Sequence, residues 1–368
     1  MRHCHKKLTG SLSPLTARLV VGSILTLSVS PVFAQASLTL YGIVDGGLVY
    51  KNNADPAGHS LTAFGAGTEQ ASRFGLVGNE PLGDGWSATM KLENGFFISN
   101  GQIINPGLLF NRGSTVGLKH VDYGWIQLGR NWIPFHDSLS LLDMANFGNF
   151  GTLSNLSYQN LSATRSGLTG AGFYWANNSV RYTSPDIHGF VASALYSFGG
   201  TAGNFQNRSL YSALAHYRIG SLLFVGSYFS AKDPSGLTDK VVARAFTAGV
   251  KYEFANRAAA SLAVVNFKNP ATGDNQTFYT LGARYQATPT LAFIGDYIHL
   301  QNERNSRGNG DLFKLALNYS LSKRTLLYAD VGYTRNSPQG TLGVQNTAPV
   351  GLPGADQTAV AIGITSKF

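Results

Sequence analysis

Beyond residue 36 the chain is dominated by a period of two. Phe313, Leu315, Leu317 and Tyr319 alternate with Lys314, Ala316, Asn318 and Ser320. Phe246, Ala248, Val250, Tyr252 and Phe254 alternate with Thr247, Gly249, Lys251 and Glu253, and Tyr279, Leu281, Ala283 and Tyr285 with Thr280, Gly282 and Arg284. Successive side chains of an extended strand point to opposite faces, so each segment carries one apolar and one polar face.

Sixteen such segments can be traced: 37–50, 70–79, 85–98, 110–120, 123–131, 177–184, 190–198, 208–218, 221–231, 242–254, 258–267, 276–287, 290–300, 311–320, 324–336 and 358–368. Short connections such as Pro81-Leu82-Gly83-Asp84, Val121-Asp122, Ile219-Gly220 and Thr288-Pro289 alternate strictly with long ones at 51–69, 99–109, 132–176, 301–310 and 337–357. Tight turns at one end and long loops at the other are the habit of transmembrane barrels. A soluble sandwich is the rival fold, with its apolar faces filling a core between two sheets. Three features favour the membrane. Aromatics sit at the ends of the apolar faces (Tyr217, Tyr252, Phe254, Tyr279, Tyr285), as interfacial girdles require. An even strand number closes the sheet and leaves no edge in lipid. The terminal Phe368 ends an alternating strand on its apolar face. The fold expected is all-β: a 16-stranded antiparallel transmembrane β-barrel with short periplasmic turns and long external loops.

Composition agrees. Only 13% of residues are charged against 43% hydrophobic, with 43 glycines and 12% aromatics, which excludes intrinsic disorder. No run of 18 apolar residues exists to cross a bilayer as a helix. The first 34 residues read as a secretory signal, with a basic region at Arg2, Lys6, Lys7 and Arg18, an apolar stretch at 19–33 and small residues at Ala34 and Ala36. Cleavage is expected after Ala34, with Ala36 as the alternative. Residues 35–368 then form the barrel. Removing the four basic residues of the signal from the 28 in the chain leaves 24 against 19 acidic, a net +5. The only cysteine, Cys4, leaves too, as suits passage through an oxidising periplasm.

No convergent catalytic or metal-binding site can be assembled. His59, His120, His136, His188, His216 and His299 are scattered, with no nucleophile elbow and no phosphate-binding loop. Neither an enzyme nor a cofactor is expected. Basic residues are spread singly along strands, so nucleic acid is not an expected partner either. A water-filled barrel works instead through a charged lumen and a constriction. Alternation places Lys91, Glu93, Arg181, Lys251, Glu253, Arg284, Lys314 and Asp330 toward that lumen. The constriction is expected in 132–176, because structureless connections of this length are rare unless functional. It contains Asp137, Asp143 and Arg165, with aromatics Phe147, Phe150, Phe173 and Trp175. Folded inward, it would set its carboxylates opposite lumenal cations.

The opening Ser37-Leu38-Thr39-Leu40-Tyr41-Gly42-Ile43-Val44-Asp45, the run Ser72-Arg73-Phe74-Gly75-Leu76-Val77-Gly78-Asn79-Glu80 and Leu92-Glu93-Asn94-Gly95-Phe96 carry a resemblance. So do Phe110-Asn111-Arg112, Leu128-Gly129-Arg130, Asn178-Ser179-Val180-Arg181-Tyr182-Thr183-Ser184-Pro185 and the terminal Phe368. Taken together they resemble the general porins of beta-proteobacterial outer membranes, over the whole exported chain.

The resemblance implies a homotrimer of sixteen-stranded barrels in the outer membrane of a Gram-negative cell, each with its third external loop folded into the pore. It implies passive passage of ions and small hydrophilic solutes, with membrane lipid and lipopolysaccharide as neighbours. Family members carry an arginine cluster at the constriction. Arg73 and Arg112 match two of its members, and Glu93 matches a lumenal acid. The third arginine would fall where this chain has Trp175. Arg165 and Arg181 are the nearest electrostatic substitutes, though neither holds the family position, and Asp143 matches a loop carboxylate only loosely. Weak selectivity follows, with Arg73 and Arg112 facing Asp137 and Asp143. The alternatives are a substrate-selective channel of the same fold, with Trp175 and Phe173 as its suspects, and a structural or enzymatic barrel.

Overall fold

The computed structural model describes residues 36–368 except 146, 154–173 and 346–349. The signal-peptide expectation for 1–34 and the residues Arg165 and Phe173 lie outside that set. Seventeen strand segments join into a single antiparallel sheet. They begin with β1 (Ser37–Lys51), β2 (Leu61–Ala66), β3 (Arg73–Gly83), β4 (Trp86–Gly95), β5 (Gly113–His120) and β6 (Gly124–Trp132). After the helix α1 (Pro134–Leu142) come β7 (Trp175–Thr183), β8 (Phe190–Ser197), β9 (Leu210–Ile219), β10 (Leu222–Lys232) and β11 (Val241–Glu253). The remainder are β12 (Ala258–Lys268), β13 (Asn275–Gln286), β14 (Leu291–Asn302), β15 (Gly310–Ser320), β16 (Thr325–Asn336) and β17 (Gln357–Lys367).

From β3 onward each strand pairs with the next in sequence, and β1 pairs with β17 from Ile43↔Lys367 to Lys51↔Ala359. That seam closes the sheet, and the backbone of the last residue joins it: the Gly42 N–H donates to the Phe368 carbonyl at 3.0 Å. The segments β2 and β3 share one partner strand. Residues 46–51 of β1 pair with β2 and residues 37–43 with β3, so the two make a single stave with residues 67–72 looped out of it. Seventeen segments therefore form sixteen staves, the expected number.

The separate strand β2 differs from the expectation, which left 51–69 as one connection. Its inward positions are Leu61, Ala63 and Gly65, which are not polar, so the two-sided signal is missing there. The true connection is short, 52–60.

Burial follows the period of two. On β15 the outward Leu315 is 71% exposed while the inward Lys314 is 2% exposed. Outward Phe224, Phe246, Leu262, Leu281, Phe293, Ile362 and Ile364 are likewise exposed. This continuous apolar exterior suits hydrocarbon rather than water.

The third long connection, after β6, turns inward. Pro134 starts α1 at its first turn, where the missing N–H costs nothing. The apolar side of α1 (Phe135, Leu139, Leu142) is buried against inward positions of β8 to β15, among them Phe229, Val265, Phe267, Phe278, Ile298 and Leu312. Phe135 lies 6.1 Å from Phe229 and 5.7 Å from Phe267, ring to ring. The Phe135 N–H donates to Ser212 Oγ at 2.9 Å, and the hydroxyls of Ser138 and Ser227 lie 2.6 Å apart. Burial of this many side chains, each worth about 1.5–3 kcal/mol, fixes α1 to that wall. The interior is therefore divided. One wall is filled by the loop, and the opposite wall, β1 to β6, stays open.

Candidate functional site

The open half holds a cavity of about 680 Å³ between the inner faces of β1 to β6 and the inward loop. Its wall side carries Lys51, Arg73, Lys91, Glu93 and Arg112, and its loop side His136, Ser140, Phe147, Asn149 and Tyr174. Trp132 and Trp175, the last residue of β6 and the first of β7, pair across the strands and close one flank.

Glu93 organises the basic residues. Its carboxylate accepts from Arg112 Nε at 2.9 Å and lies 3.2 Å from Lys91 Nζ and 4.0 Å from Arg73 Nε. The Tyr41 hydroxyl donates to it at 2.5 Å. Glycine makes this possible, because a Cβ on Gly75 would lie 2.8 Å from the Tyr41 hydroxyl oxygen. Arg73 is further held by the Ala71 carbonyl at 2.9 Å and the Gln70 side-chain carbonyl at 3.2 Å. Arg112 lies over Trp132 at 5.0 Å and over Trp175 at 5.6 Å, within the range of cation–π attraction. Among the described residues, four cations thus share the cavity with one carboxylate.

The structure brings Arg73, Glu93, Arg112 and Trp175 together, as the sequence motifs suggest, but it corrects the loop carboxylates. Asp137 does not face Arg73 and Arg112. It is turned to β7, where its carboxylate lies 2.5 Å from Arg181 Nη2 and 3.0 Å from His136 Nδ1, and Arg181 also donates to the Trp132 carbonyl at 3.0 Å. This pair pins α1 to the wall. Burial raises the Asp137 carboxyl, but Arg181 and His136 outweigh it and hold the group below the usual carboxylate range. Burial pushes the His136 imidazole down, against the pull of Asp137.

Asp143 is also turned away. It ends α1, and its carboxylate accepts the backbone N–H groups of Ala145 at 2.7 Å, Phe147 at 3.1 Å and Leu153 at 3.2 Å. A short acidic side chain at a helix end satisfies local backbone donors more readily than it crosses a water-filled gap. Its work is to shape the turn presenting Phe147, whose φ is +58°. Behind that turn lies the buried ion pair Lys314–Asp330, 3.3 Å.

Sequence reasoning missed Lys51, Trp132, His136 and Tyr174. The signal for Lys51 was its parity with the inward Asp45 and Val49. The others occupy strand ends and a loop, where no period guides the eye.

A closed barrel with an apolar exterior, and a loop narrowing a charged aqueous interior, defines an outer-membrane channel for passive diffusion. A family model for Gram-negative porins matches residues 22–339, and the chain belongs to that family. It is 29% identical over 351 residues to outer membrane porin protein 32 of Delftia acidovorans, covering 91% of this chain and 95% of that relative. An outer membrane porin protein of Bordetella pertussis is 33% identical over 177 residues, 45% of this chain and 43% of its own length. The solved anion-selective porin from Comamonas acidovorans superposes with a TM-score of 0.78 at 28% identity, covering 91% of this chain and all of that one. The chain is a channel of the outer membrane.

Proposed function

We propose that this porin is a general diffusion pore whose narrowest part prefers anions. The observation that carries the reading is the charge balance of the cavity: among the described residues, Lys51, Arg73, Lys91 and Arg112 line it against Glu93, with Asp137 and Asp143 committed elsewhere. A fixed positive field in a low-dielectric passage concentrates anions and repels cations. The anion selectivity of the Comamonas relative supports the same direction. The reading extends to a homotrimer lying in lipid and lipopolysaccharide, exported by a signal peptide cleaved near Ala34.

Planar-bilayer recording in a potassium chloride gradient tests the proposal. The reversal potential is expected on the chloride side of zero. Replacing Arg73 and Arg112 together by Ala removes about 0.6–1 kcal/mol of attraction for an anion in the narrows. The chloride-to-potassium permeability ratio should then fall roughly threefold or more. An unchanged ratio removes these arginines from the selectivity device.

A further inference from the structure

The cavity is more than a charged hole. From the flank beside Arg112 to the loop side of the cavity runs a continuous set of rings. Trp132 and Trp175 lie 4.5 Å apart, Trp132 and His136 3.9 Å, His136 and Phe147 4.7 Å, and His136 and Tyr174 4.9 Å. All five line the cavity. Trp132, Phe147, Tyr174 and Trp175 also belong to or border the core that seats α1, so each ring has one part in that packing and another on the cavity.

Arg112 joins the two surfaces. Its Nε donates to Glu93 and its plane is backed by two indoles. Its two terminal nitrogens, by contrast, donate to no protein acceptor among the described residues. A guanidinium held flat with a free two-pronged edge is preorganised for a carboxylate. Phe147 supplies a second, independent sign. A bulky residue with φ of +58° sits in a region that costs about 1–3 kcal/mol, and Asp143 holds it there by accepting its N–H. The turn sets this ring at the edge of the core that seats α1, where it also lines the cavity.

We propose that this cavity is a weak binding subsite for aromatic carboxylates. The carboxylate would be taken by the free edge of Arg112 with Arg73 nearby, and the ring would lie against Trp132, His136 and Phe147. This deepens the anion-pore reading and rests on it. The pore would pass chloride by field alone, and would retain a planar aromatic acid briefly on its way through.

The test uses the full-length porin in planar bilayers, with chloride current titrated by benzoate and, separately, by acetate. The two probes have equal charge and the same carboxylate. Benzoate should block saturably, with a half-blocking concentration about three- to tenfold below that of acetate, the range expected for one aromatic contact. Trp132→Leu and, as an independent variant, Phe147→Leu should each bring the benzoate-to-acetate ratio toward one. Because the ratio is read within one channel, changes in folding yield or overall conductance cancel. A ratio of one in the unmodified protein overturns the subsite while leaving anion preference standing. A cation-preferring reversal potential overturns the reading beneath it instead. Discrimination that survives both ring replacements also overturns the assignment.

Discussion

At the scale of single residues, the passage is governed by who satisfies whom. Glu93 is shared by Lys91 and Arg112 and approached by Arg73, so it restrains the cations without cancelling them. Trp175 occupies the position where the family resemblance leads one to expect a third arginine, and it lies beside Arg112. Trp175→Arg should therefore add a positive charge to the cavity. The chloride-to-potassium permeability ratio is expected to rise about two- to fivefold for ~0.5–1 kcal/mol of added attraction, read from the reversal potential. A fall would mean that the new guanidinium is neutralised or displaces Arg112. Glu93 was legible as an inward residue from the alternation of its strand, whereas Arg73 and Arg112, at the ends of strands, were reached only through the motifs that carry the family resemblance. Asp137 and Asp143 were legible as residues but not as contacts. A loop has no period, and the partner of a carboxylate in it depends on the path the whole loop takes.

At the scale of elements, α1 is an apolar wedge with an ionic anchor at Asp137. The length of 132–176 and its aromatic content pointed to a functional loop. The inner wall that receives it did not show, because Phe229, Phe267 and Phe278 break the expected polar lumen only where α1 covers them. The anchor Asp137–Arg181–His136 gives a pH signature in which the two titrating groups act in different windows. The folded value of Asp137 is depressed, so its contribution is complete above the ordinary carboxylate value near about 4 and is lost only as pH falls below that. The folded value of His136 is also depressed, so its contribution is complete above about 6.5 and is lost as pH falls from there toward the folded value. Thermal unfolding in detergent should thus show stability declining from about pH 7.5 to 5.5, by at most about 1.4 kcal/mol per pH unit. His136→Gln should flatten that slope. Asp137→Asn should lower stability by a similar amount at both ends of the range, and a loss confined to low pH would contradict the assignment.

At the scale of the whole molecule, sixteen staves divide lipid from water by parity alone. The number of staves and the antiparallel closure were legible, since every stave but one carries the two-sided pattern. The exception, the β2 half of the second stave, presents small and apolar residues inward because the passage there is bordered by the loop. Leu281, at the middle of β13 and exposed outward, tests the partition. Leu281→Arg should cost about 2–4 kcal/mol if the position lies near mid-bilayer, measured by urea-driven unfolding from phospholipid vesicles. A cost near zero would place that face in water.

The gap in the second stave has a consequence of its own. The carbonyls of Gly67 and Thr68, left without a neighbouring strand, take Asn149 of the inward loop: the Thr68 carbonyl accepts its backbone N–H at 3.0 Å and the Gly67 carbonyl its side-chain amide at 2.6 Å. Asp45 on β1 holds the same gap, receiving the Glu69 N–H at 3.3 Å and, from across the seam, the hydroxyl of Thr365. The gap works as a keyhole cut in the cylinder, and it is framed by both sides of the joint between first and last strands. The latch is therefore a second hold on a loop that α1 already seats against the far wall. The gauge of the passage is thus held from two sides, by the wedge of α1 on one wall and by this keyhole beside the closing seam on the other.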